Sequence, residues 1–150
     1  MALLNYTTKI PAKESAGQVL GMLATAGADR ITLINDRASR EPTGVEFEIE
    51  TVVGWQAFRL PVNARAIQVL LDATRKERRA GPTTDEQARA VGWRIVKDWT
   101  EAQLALIQTG MVKLEEVFLP YMIHGPTGMT MFEAFEHRQL ALKAGEATRG

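Results

Sequence analysis

Side chains that can bind a phosphate or a carboxylate are concentrated between residues 59 and 79. This stretch contains six arginines and lysines against two acidic residues, a net charge of +4. Cations near a helix C-terminus also complement the helix dipole, which is an alternative explanation for the cluster. We expect these residues, with two arginines of a preceding loop, to contact nucleic acid or another acidic partner. The candidate binding residues are Arg37, Arg40, Arg65, Arg75, Lys76, Arg78 and Arg79.

Three glutamates alternate with apolar residues on one candidate strand. Glu46, Glu48 and Glu50 would lie on one face about 7 Å apart, since alternate residues of a strand point the same way. Like charges at this spacing could raise a carboxyl pKa or hold a divalent ion, which leaves a metal-dependent enzyme as an alternative. A solvated outer sheet face balanced by arginines has the same pattern, and Arg59 is the expected partner.

Other catalytic patterns are missing from the sequence. The two histidines, His124 and His137, have no second ligand at a metal-binding spacing. Ser15 and Ser39 lie outside any Gly-x-Ser-x-Gly elbow, and no glycine-rich phosphate loop occurs. There is no cysteine, which removes thiolate ligands and nucleophiles. The sequence therefore predicts a protein that is not an enzyme and that uses no cofactor or metal.

The composition is that of an ordinary globular protein. Hydrophobic residues make up 45% and charged residues 24% of the 150 residues, and the formal net charge is zero. This balance argues against a strongly basic protein that wraps nucleic acid, but it allows a local basic patch. The lack of cysteine fits a reducing compartment. No apolar stretch approaches the roughly 20 residues that span a bilayer, and no signal peptide is readable. We expect a cytoplasmic location and no membrane partner.

The first half of the chain predicts an α+β fold with the order β-α-β-β-β-α. Its antiparallel sheet would have three or four strands, with both helices on one face. The order from residue 12 to residue 79 resembles, in topology alone, that of double-stranded RNA-binding domains. The strands are expected at 3–10, 30–34, 45–51 and 55–60, the helices at 16–26 and 63–79, and the domain at 1–80.

The second half predicts a helical extension, residues 81–143, packed on this domain. Gly81-Pro82 breaks the chain, and Thr83 with Glu86 has the form of a capping box before a long apolar stripe. Residues 84–119 form either one helix bent at Gly110 or two helices. Such a stripe exceeds what the small domain covers, so we expect a homo-oligomer through the long helix. Thr130 and Glu133 lead a short last helix, and residues 144–150 form a flexible tail.

Two aromatic residues are candidates for contact with another protein. Trp93 and Trp99 lie about 120° apart around the long helix, and Trp99 fits its apolar stripe better. Trp93 lies toward the edge beside Arg94, where core packing competes with an interface role. Tyr121 follows the long helix in a turn. Trp93 and Tyr121 are the interaction residues that we expect if the protein acts as an inhibitor of a host defence factor.

Three segments resemble small hypothetical proteins carried by tailed phages and prophages. They are Trp93-Arg-Ile-Val-Lys-Asp-Trp99, Phe118-Leu-Pro-Tyr-Met122 and Gly128-x-Thr130-x-Phe132-Glu133. The resemblance covers most of the chain and implies a phage or mobile-element accessory protein, which would work in the host cytoplasm. Together these features predict a non-enzymatic protein that binds a phosphate-bearing or acidic partner, nucleic acid first. A host-protein inhibitor and a nucleotide-signal-binding protein remain the alternatives.

Overall fold

The computed structural model describes residues 3–77 and 81–149, apart from the side chains of Lys76 and Glu77. The protein is an α+β fold in which a three-stranded antiparallel sheet is followed by a long helix and a C-terminal helix. The strands are β1 (Asp29–Asn35), β2 (Pro42–Thr51) and β3 (Gly54–Pro61). The helices are α1 (Ala12–Thr25), α2 (Ala64–Glu77), α3 (Asp85–Gln108), α4 (Leu114–Phe118) and α5 (Met131–Arg149), and one 3-10 turn covers Leu119–Tyr121.

The segment before α1 is a series of turns, so the prediction of a strand at 3–10 is wrong. The amide of Tyr6 donates to the carbonyl of Leu3, and Asn5 has a positive φ of 61°. Asparagine tolerates this left-handed conformation better than other non-glycine residues, and it interrupts an extended chain. The apolar and β-branched residues of this segment therefore predict a strand where the chain forms turns. The predicted stop of α1 is confirmed, because Gly27 follows its C-cap with a φ of 99°.

The sheet has the strand order β1-β2-β3, and its register separates apolar from charged side chains. Phe47 lies opposite Phe58, and Glu46 lies opposite Arg59 on the other face. Since successive strand residues point to opposite faces, β2 buries one set of side chains and presents its glutamates on the outer face. The predicted period of two is confirmed over this hairpin.

The main core lies between the sheet and two helices, α1 and α3. It contains Val19 and Leu23 of α1, the buried faces of β2 and β3, and Trp93 of α3. Phe118 of α4 closes it with ring centroids 5.8 Å from Phe47 and 6.1 Å from Phe58. No described residue of α2 belongs to this cluster. The long helix thus covers the sheet beside α1, while α2 packs against α3.

The α2–α3 contact is close because of Gly92. A Cβ at this position would lie 2.7 Å from side-chain carbons of Val62 and Ile67. The N-terminus of α3 is capped by Thr84, whose hydroxyl accepts from the amide of Gln87 at 3.1 Å. The cap therefore lies one residue after the predicted Thr83–Glu86 pair.

The chain after α3 turns sharply and adds a short hairpin to the free edge of β3. Gly110 has a φ of 79° and separates α3 from α4, so the second of the two predicted alternatives, two helices, is correct. The amide of Ile123 then donates to the carbonyl of Ala57, and Ile123 pairs with Thr130. The predicted capping box is confirmed, since Thr130 and Glu133 exchange hydrogen bonds at 3.2 Å.

Helix α5 is longer than the short helix that the sequence predicts. It continues to Arg149, so residues 144–149 are helical where we expected a flexible tail. None of its described residues is buried. It therefore extends from the domain with a surface that its own chain leaves open.

Candidate anion-binding cleft

A cleft of about 460 Å³ lies between the N-terminal segment, α2 and the first turn of α3. Its walls combine cationic side chains with hydroxyl groups, an aromatic ring and one leucine. Such a mixture of a few polar groups on an apolar wall is typical of small-ligand sites, and the volume is within their usual range. The lining residues are Tyr6, Thr7, Thr8, Lys9, Leu71, Thr74, Arg75 and Gln87.

The N-terminal wall of the cleft is held in place by α3. The Gln87 side-chain amide donates to the carbonyls of Tyr6 at 3.2 Å and Thr8 at 3.1 Å. Further along the helix, Asp98 accepts a 2.8 Å hydrogen bond from the side chain of Asn5. The bonds from Gln87 occupy two backbone carbonyls that a strand would have used, and they fix the segment that carries Lys9.

Helix α2 also lines the cleft and supplies Arg75. Its guanidinium donates to the carbonyls of Gly81 at 3.3 Å and Pro82 at 3.2 Å, which holds the α2–α3 loop against the helix. Asp72 accepts a 2.6 Å hydrogen bond from the amide of Thr83, and this bond lowers the pKa of the Asp72 carboxyl. The cleft thus has two cations, Lys9 and Arg75, with one ionised aspartate near the second.

The other predicted basic residues lie at separate places. Arg37 and Arg40 are exposed in the β1–β2 loop, which is held by hydrogen bonds to Asp36. The amide of Ser39 donates to that carboxylate and lowers its pKa. Arg65 is exposed on the first turn of α2 and contacts Gln68. Of the predicted set, the cleft therefore holds Arg75. The side chain of Lys76, and Arg78 and Arg79, lie outside the described part of the chain.

Two of the three glutamates on the outer face of β2 are paired with arginines. Arg59 contacts Glu46 at 2.8 Å, as predicted, and Arg30 approaches Glu48 at 3.7 Å. Among residues 3–77 and 81–149, no group of three or more histidines, cysteines or acids is placed to hold a metal ion. Both histidines are exposed, and the ring of His124 lies 3.3 Å from the Thr127 hydroxyl.

The two predicted interaction residues have different positions. Trp93 is fully buried, and its indole N–H donates to the carbonyl of Pro42 at 2.8 Å. The interface role predicted for Trp93 is therefore wrong and the competing prediction, core packing, is confirmed, because the ring is a central part of the core. Tyr121 is half-buried and packs edge-on against Trp99, with 5.7 Å between ring centroids. Part of Tyr121 remains accessible.

Lys9 and Gln87 were not predicted as site residues. Lys9 falls in the segment predicted as a strand, two residues before Pro11, and this pattern gives no sign of a cleft. Gln87 follows Thr84 by three residues, which is also a capping-box spacing. The Thr84–Gln87 spacing is enough to predict Gln87 in the first turn of α3. The hydrogen bonds of Gln87 to residues 6 and 8 depend on tertiary structure, so the sequence does not predict them.

The sequence matches no protein-family model, no curated protein and no solved structure. The residues described above are therefore the basis on which a function can be proposed. Within the part of the chain that the structure describes, no helix is long and apolar enough to cross a membrane.

Proposed function

We propose that this protein binds a phosphate-bearing ligand in the anion-binding cleft, with single-stranded nucleic acid as the first candidate. The observation that supports the proposal most is that Lys9 of the N-terminal segment and Arg75 of α2 line the same cleft. Ammonium and guanidinium groups bind phosphate through charge-assisted hydrogen bonds. The hydroxyls of Thr7 and Thr8 add neutral donors that suit phosphate oxygens.

The size of the cleft favours a single nucleotide unit over a duplex. A volume of about 460 Å³ is suited to one drug-sized group, whereas a duplex presents a long, regular surface to a protein. Tyr6 and Leu71 provide a less polar wall on which a base can rest. A single strand fits because it can place one nucleotide in the cleft while its backbone continues outside. A free nucleotide is the second ligand of the same chemistry.

The proposed role agrees with an accessory protein of a phage or mobile element that acts in the host cytoplasm. Such a role is what the resemblance of Trp93–Trp99, Phe118–Met122 and Gly128–Glu133 implies. It requires binding without chemistry, and the cleft supplies cations and hydroxyls for that purpose. Whether the partner is a polymer or a nucleotide is decided by measuring both.

The test is fluorescence anisotropy with labelled single-stranded and duplex oligonucleotides and a labelled nucleoside triphosphate, over a range of salt concentrations. Two phosphate contacts predict a salt slope of about −1.4 for a single strand, at about 0.7 per contact. Lys9→Glu should weaken binding and reduce the steepness of that slope by about 0.7. Lys143→Glu makes the same charge change on α5, where the side chain is exposed, and is the matched control.

Three results would contradict the proposal. One is the lack of binding by any probe at low salt and micromolar protein. Another is equal binding by the Lys9→Glu and Lys143→Glu variants, which would mean that net charge alone is responsible. The third is a salt slope that Lys9→Glu leaves unchanged.

A further inference from the structure

Helix α5 is fixed at its beginning and open along the rest of its length. The amide of Met131 donates to the carbonyl of Met122, and the Glu133 carboxylate bonds the amide of Thr130. Arg59 adds an ion-pair distance of 3.9 Å to Glu133. Beyond this first turn no described residue of the helix is buried. These contacts fix the first turn of α5 to the domain. We call the rest of the helix the arm.

A helix of this kind gains stability from a surface that covers it. Isolated helices are marginal in water, and most helical stability in proteins comes from packing of an apolar face. Gly145 adds a cost of about 1 kcal/mol relative to alanine. Met131, Phe135 and Leu142 lie on one face of α5 and are 37%, 59% and 53% exposed, and the exposed Arg138 lies between them on the same face. This face is suited to a hydrophobic groove that also offers an acidic side chain.

The same chain has such a groove on another side of the molecule. It lies between α1 and the second half of α3 and has a volume of about 970 Å³. Its wall is apolar where Met22, Leu104, Ile107 and Leu114 meet, and it is widened by small residues such as Ala105. No described residue of α5 is buried, so the arm does not occupy this groove within its own chain.

The arm and the groove match in length. On α3 the groove runs from Lys97 to Gln108, and on α5 the apolar face runs from Met131 to Leu142. Each covers eleven residue steps, or about 16 Å at 1.5 Å per residue. The groove therefore accommodates the whole apolar face of the arm.

The charges favour an antiparallel arrangement. With Met131 at the Gln108 end, Arg138 of the arm lies opposite Glu101, whose side chain is 59% exposed beside Lys97. Opposed helix dipoles favour the same direction. We propose that α5 of one protomer lies in the α1–α3 groove of a second copy, and that the exchange is reciprocal. The interface is independent of the anion-binding cleft, which none of these residues lines.

The experiment is sedimentation velocity of the full chain at tens of micromolar, with two variants on opposite partners of the contact. Phe135→Glu alters the arm, and Ala105→Glu alters the groove at an exposed helical position. Leu140→Glu is the control, because Leu140 is 61% exposed on the opposite face of α5. Circular dichroism verifies that each variant is folded.

We expect the wild-type chain and Leu140→Glu to sediment at twice the chain mass of 16.6 kDa, and each of the other variants as a monomer. An equimolar mixture of Phe135→Glu and Ala105→Glu should recover some dimer, because one intact arm then meets one intact groove. A monomeric wild type would overturn the proposal. So would a dimer that survives both substitutions, equal disruption by Leu140→Glu, or a mixture with no recovery.

Discussion

Replacing Trp93 by phenylalanine tests whether this side chain belongs to the core or to a contact surface. The indole is fully buried and donates a 2.8 Å hydrogen bond to the carbonyl of Pro42, which is also buried. Phenylalanine keeps most of the ring but lacks the N–H. The Pro42 carbonyl would then be left without this donor in a place that water does not reach.

The expected loss has two parts. An unsatisfied buried carbonyl costs about 1–3 kcal/mol, and the space left by the smaller ring costs about 1 kcal/mol more. We therefore expect Trp93→Phe to reduce the free energy of unfolding by about 2–4 kcal/mol. For a chain of this length that corresponds to a fall in Tm of about 10 °C.

Urea unfolding followed by far-ultraviolet circular dichroism measures this loss without relying on tryptophan fluorescence. All variants should be compared at one protein concentration, because dimer formation would make Tm concentration-dependent. Trp99→Phe is the matched control on the same helix. Trp99 is half-buried and packs edge-on at 5.7 Å from both Phe118 and Tyr121, so we expect a loss below about 1.5 kcal/mol. A Trp93→Phe protein within 0.5 kcal/mol of wild type would refute the reasoning.

Three further substitutions test the packing and the electrostatics. Gly92→Ala should lower Tm, because the new Cβ would lie 2.7 Å from a side-chain carbon of Val62. We expect this overpacking to outweigh the gain in helix propensity by about 1 kcal/mol. Gly17→Ala is the control and should raise Tm, because the space around Gly17 is open. The hydrogen bond from the Thr130 amide lowers the pKa of the Glu133 carboxyl below its usual 4.5. The ionised carboxylate therefore stabilises the fold above pH 4.5, and this stabilisation is lost as the pH falls through the lowered pKa. Glu133→Gln should therefore be less stable than wild type at pH 7 but converge with it near pH 3 in urea titrations; a constant difference would contradict this.

The parts of the fold that could be predicted are those in which a local pattern and burial agree. Glu46 alternates with buried neighbours along β2, so its cross-strand partner Arg59 followed from the period of two. The Thr130–Glu133 cap and the Gly110 break also depend on residues close in sequence. Such features are determined by short-range hydrogen bonds and backbone conformation, which the residue types largely specify.

The parts that could not be predicted depend on where distant segments meet. Trp93 lies at the edge of the helical stripe in sequence, but the carbonyl of Pro42 and the sheet bury it. Lys9 lines the cleft because Gln87 holds the segment before α1, a contact across about eighty residues. The basic cluster is visible in the composition, whereas the meeting of Arg75 and Lys9 in one cleft depends on the packing of α2 beside α3.

Helix α3 separates the two proposed binding surfaces. Gln87, in its first turn, borders the anion-binding cleft, and Leu104, in its last third, lines the groove. The two positions are about 25 Å apart along the helix axis at 1.5 Å per residue. Substitutions this far apart with no shared partner act independently, so Ala105→Glu should leave the affinity of one cleft for one nucleotide unchanged. A dimer would nevertheless present two clefts to one long strand, which gains affinity through effective concentration while each cleft stays the same. Dimer formation would then favour strands over free nucleotides without changing a single contact in the cleft.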